Sequence, residues 1–71
     1  MTSQEWIAGF AASLGVPEPS DEEFEQILRL AGEAAHASER TAAPVACWLA
    51  AAAGLTPTDA LQRAEGVAST D

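Results

Sequence analysis

HASERTAAPVACWLAAAAGLTPT, residues 36–58, is the stretch that decides how this chain folds. Positions 41–58 carry no charged side chain, although the chain as a whole has 11 acidic and 3 basic residues and a formal net charge of -8. Pro44 is tolerated only in the first turn of a helix, so a helix is expected to begin near Ala42 or Ala43 and to run to Ala53, closed by Gly54. Thr41 is its expected N-cap. Val45, Trp48, Leu49 and Ala52 share one face, and Ala46, Ala50 and Ala53 form a smooth, small face with no polar residue to meet water. A helix apolar on every side belongs at the centre of a bundle or against another chain. The heavy face is assigned to the chain's own core. The light face is left for close approach by the first helix, by a second copy or by a partner.

Working outward, the flanking segments also read as helices. Thr2 stands three residues before Glu5, the spacing of a capping box, and Met1 and Trp6 are placed for a hydrophobic staple. Trp6, Ile7, Phe10 and Leu14 fall on one face, and Gly15 is a left-handed stop, giving a helix over 3–14. After the stiff connector 16–19, Ser20 and Glu23 repeat the capping-box spacing. Phe24, Ile27, Leu28, Ala31, Ala34 and Ala35 then form an apolar stripe opposite Glu25, Arg29, Gly32, His36 and Arg40. Thr56 followed by Pro57 marks a last helix with a narrow stripe of Ala60, Leu61, Ala64 and Val67, and residues 69–71 should fray. The expectation is an all-α, compact four-helix bundle-like domain with helices near 3–14, 21–38, 43–53 and 57–68, the whole of 1–71 forming one domain.

Size and charge exclude several classes of function. A 71-residue chain lies near the lower limit for a self-sufficient core, where small folds usually rely on a disulfide, a metal or a partner. The single Cys47 allows no internal disulfide, and one cysteine with one histidine is too poor a set for structural zinc. The strong acidic excess and the absence of lysine argue against nucleic acid and against an anionic membrane surface. The apolar run is too short to span a bilayer, and no basic leader precedes Glu5. With an unpaired cysteine, these features lead to an expected cytoplasmic location.

No catalytic, cofactor-binding or metal-binding set can be assembled, because a general acid or base needs a second reacting group within reach. Thr2, Ser20, Thr41 and Thr56 are accounted for as caps, and Cys47 as a packing thiol. His36 and Arg40 either complement the negative end of the second helix or hold a small anion. Asp21, Glu22, Glu23 and Glu25 open a helix and lack the alternating loop of a calcium site. Trp6 and Trp48 are read as core anchors, with an interface role as the alternative. The candidate interaction residues are Leu30, His36, Arg40, Ala46, Trp48, Ala50 and Ala53. Leu30 is included because it lies on the flank of its helix.

The Trp6 helix, Ala35-His36 followed by Arg40 and Ala43-Pro44, and Trp48-Leu49 closing at Gly54 together resemble a small actinobacterial domain family of unknown function. The resemblance covers nearly the whole chain. It implies a domain that occurs alone or fused behind molybdenum cofactor guanylyltransferase-like proteins, in the company of molybdoenzymes such as formate dehydrogenase. These residues include no glycine-rich phosphate loop, so guanylyl transfer is not assigned to them. The expected function is a non-catalytic interaction module, an accessory subunit or assembly factor for a molybdenum enzyme subunit or cofactor-maturation protein. The alternatives are a small-anion or cofactor-binding domain using His36 and Arg40, and a homodimer without another partner.

Overall fold

The computed structural model describes residues 1–67. Four helices follow one another: α1 (Ser3–Leu14), α2 (Asp21–Ala37), α3 (Ala42–Ala52) and α4 (Pro57–Glu65). No strand occurs among the described residues, and the fold is all-α and bundle-like, measuring 38 × 25 × 18 Å. The last helix is shorter than expected. Gly66 follows Glu65 directly, and Val67, expected on the apolar stripe, lies past the helix and is exposed. The expected fraying of 69–71 lies outside the described residues.

Most helix ends are built by the expected caps. The Thr2 hydroxyl accepts from the Glu5 N–H at 3.1 Å while the Glu5 carboxylate accepts from the Thr2 N–H at 2.8 Å, satisfying two otherwise orphaned donors. Ser20 and Glu23 repeat the arrangement with distances of 3.1 and 2.8 Å. The Thr56 hydroxyl accepts from the Asp59 N–H at 3.2 Å, with Pro57 in the first helical position. At the other ends, Gly15 and Gly54 take φ of 72° and 73°. Each lets the following residue reach back: Val16 N–H to the Ala11 carbonyl and Leu55 N–H to the Ala50 carbonyl. This is the left-handed termination that only glycine enters without strain.

Two expected end structures are absent. Met1 is 97 % exposed, so no staple closes over Trp6. Thr41 makes no side-chain capping bond and is itself in the right-handed helical region (φ -65°, ψ -19°). The reason is the tightness of the entry, where Ala42 and Ala43 donate to the carbonyls of Glu39 and Arg40. The chain is already turning before α3, which leaves Thr41 without the extended geometry that a cap requires.

Packing is organised around α2. It lies against both α3 and α4, while α1 makes no comparably close backbone approach to any helix. Leu30 on α2 is only 4 % exposed, and Ala60 and Leu61 of α4 are buried with it. Of the two places expected for α3, the centre of the bundle or the contact with another chain, the first is filled by α2. Contact on two sides also widens and turns the inward arc of α2: Leu30 is core, whereas Leu28, placed in the expected stripe, is 59 % exposed.

The faces of α3 are arranged in reverse of the sequence expectation. Ala42, Ala43, Ala46, Cys47 and Ala50 are the half-buried positions, and Val45, Trp48 and Leu49 are exposed. Cys47 and Ala50 line the junction with Ile27 and Leu30 of α2. Small side chains let two helix backbones come close, and that approach is used here within the chain itself. On α1 the inward positions are Ile7, Ala8 and the buried Ala11. Trp6, Phe10 and Leu14 are exposed and do not form the expected core face.

Candidate docking face

The outer face of α3 carries Val45, Trp48 and Leu49 one turn or one residue apart, with Trp48 76 % exposed. Its position follows from the sequence on either side. Gly54 and the tight entry at 39–43 fix where the helix starts and stops, and the alanine-cysteine side is drawn against α2. No charged residue occurs between positions 41 and 58, so the helix itself brings no ion to the edge of this face. Large apolar side chains grouped on a surface are the usual mark of a protein contact, and tryptophan is the residue that most often dominates such contacts. A second exposed group lies on α1, where the rings of Trp6 and Phe10 pack with centroids 5.2 Å apart and planes tilted by 31°.

The other candidates separate into different places. Leu30 is buried between α2 and its neighbours and is a core residue, not a docking residue. Ala50 lines the junction with α2 and Ala46 is half-buried, while Ala53 caps α3 and is exposed. His36 is exposed in the last turn of α2 and Arg40 is exposed in the turn beyond it. Neither bonds the end of α2. Instead Ser38 donates both its hydroxyl, at 2.8 Å, and its N–H, at 3.2 Å, to the Ala34 carbonyl. Ser38 escaped the sequence reading because a serine at a helix C-terminus has no spacing signature comparable to a capping box.

The electrostatics of the remaining groups are simple. Burial among apolar neighbours pushes the Cys47 thiol above its ordinary value, which keeps it protonated and a poor nucleophile. The Thr2 backbone N–H, and secondarily its hydroxyl, hold the Glu5 carboxyl below its ordinary value. Among the described residues no group of three His, Cys, Asp or Glu side chains is placed to hold a metal ion. No buried side-chain polar atom there lacks a partner. No described helix is long and apolar enough to cross a membrane. Two hollows of about 290 Å³ each, one beside Trp6 and Phe10 on α1 and one beside Asp21 and Phe24 on α2, lie open on the surface.

The family described as Domain of unknown function (DUF6457) matches residues 1–70. No curated protein and no solved structure matches the chain.

Proposed function

The chain belongs to the DUF6457 family, and from that premise we propose that it is a non-catalytic protein-interaction module that docks through the outer face of α3. The observation that carries this reading is the outward placement of Val45, Trp48 and Leu49 on an uncharged helix whose small side already packs on α2. Exposed apolar side chains of this size cost solubility unless a partner covers them. The partner class proposed is what the resemblance in the Trp6 helix, Ala35-His36, Arg40, Ala43-Pro44 and Trp48-Leu49 implies: a molybdenum enzyme subunit, such as one of formate dehydrogenase, or a protein of molybdenum cofactor maturation. In that role the chain is an accessory subunit or assembly factor.

The test is affinity purification of the tagged chain from its own host beside a Trp48→Ser variant, with light scattering on the purified protein. The expected result is co-purification of a molybdoenzyme subunit or maturation protein with the unmodified chain and its loss with the variant. A monomer that retains nothing overturns the proposal. A dimer dispersed by Trp48→Ser and carrying no other protein replaces it with self-association.

A further inference from the structure

The loose seating of α1 leaves a cleft beside the first half of α2. One part is a hollow of about 140 Å³ lined by Ile7, Pro19, Phe24, Ile27 and Leu28. It adjoins a second hollow that shares Phe24 and Leu28 and is edged by Asp21 and Glu25. The floor is thus apolar and the rim carries carboxylates. Asp21 and Glu25 stand four residues apart on α2, a like-charge pair on one helix face whose repulsion a neighbouring cation relieves.

Charge identifies what fits there. Residues 1–28 contain Glu5, Glu18, Asp21, Glu22, Glu23 and Glu25 and no lysine, arginine or histidine. Arg29, one turn beyond Glu25 on α2, is the single basic side chain next to the cleft in sequence, so the local balance stays strongly acidic. A second copy of this chain, a nucleic acid and an anionic membrane would all be repelled. The apolar hollow is below the roughly 300–1,000 Å³ usual for small-molecule sites but suits the anchoring side chains of a helix laid in a groove. The distance from Asp21 to Leu28 along α2 is two helical turns, roughly 10 Å, matching apolar anchors spaced i and i+4 or i+7.

We infer that the α1–α2 cleft is a docking groove for a basic amphipathic helix of a partner protein, on a surface distinct from the outer face of α3. Leucine-like anchors enter between Ile7, Phe24 and Leu28, and lysine or arginine side chains flanking them meet Asp21 and Glu25. This contact does not depend on the α3 reading.

The experiment uses the full chain, isotopically labelled, and a synthetic helix of about 15 residues with leucine at i, i+3, i+4 and i+7 and lysine elsewhere. The expected result is saturable binding with amide shifts centred on Ile7, Phe24, Ile27 and Leu28. Affinity should fall about tenfold between about 0.05 and 0.3 M salt. Asp21→Asn with Glu25→Gln should weaken it by a similar factor, and Leu28→Ser, at an exposed position, should weaken it with the thermal melt unchanged. The inference fails if the peptide does not bind, if a glutamate-for-lysine version binds equally well, or if the charge variants leave affinity unaltered. Shifts centred instead on Val45, Trp48 and Leu49 also overturn it, while leaving the α3 face as a docking surface.

Discussion

Helices α2 and α3 are built from opposite materials and occupy the opposite places from those their compositions suggest. α2 has charged residues through its length, yet it is the hub, with Leu30 the most deeply covered large side chain. α3 has no charged residue, yet its heaviest residues face water. The difference shows that apolar content alone does not centre a helix. A helix with one polar face has a single favourable rotation, whereas a helix apolar all round can turn any face inward and is placed by close fit and by its connections. For α3 the alanine-cysteine face wins the contact with α2. The larger transfer free energy of valine, tryptophan and leucine is left unused within the chain.

The largest expected effect separates the two helices directly. Leu30→Ala should lower unfolding free energy by about 2–5 kcal/mol in urea titration, because it opens a cavity at the hub. Trp48→Ser should change it by no more than about 0.5 kcal/mol, as for other exposed positions. Equal losses at the two sites would break the comparison by putting Trp48 in the core. The next effect concerns how each helix is started. Thr56→Ala should cost about 1 kcal/mol through the lost capping bond, and Thr41→Ala should fall within about 0.5 kcal/mol of zero. A full capping loss at Thr41 would mean that α3 begins like the others.

The smallest effect is read by titration. Because the Glu5 carboxyl is held below its ordinary value in the folded chain, first by the Thr2 N–H, its contribution is present above the ordinary glutamate range. It is lost as pH falls through the depressed folded value. Carbon-detected NMR should place the Glu5 midpoint below that of an unstructured glutamate. A midpoint at the ordinary value would show that the capping box does not hold α1, leaving that helix less firmly started than α2 and α4.

Helix positions were legible because their punctuation is local. Thr2-Glu5, Ser20-Glu23, Thr56-Pro57, Gly15 and Gly54 each state a boundary through backbone hydrogen bonds within a few residues. Rotation was less legible. Only contacts between distant segments decide that α4 lies beside α2, and this contact turns Leu30 inward and leaves Leu28 out. The same limit hid the orientation of α3, since a helix without polar residues offers no sign of which side meets water. Sequence alone therefore makes Trp48 an anchor of the core and leaves Ala46 and Ala50 for the first helix, a second copy or a partner, whereas α2 is the helix that the alanine-cysteine side meets. Thr41 misled for another reason: its residue type suits a cap, but its backbone is already helical.

Both tryptophans, Trp6 and Trp48, lie on the outside of this fold. Indole emission in the native chain should consequently already be that of a largely wet environment, and unfolding should shift it little, leaving the usual optical signal of denaturation weak. A shift of emission to the blue instead reports that one of these faces has been covered, so that its intrinsic fluorescence records company more readily than collapse.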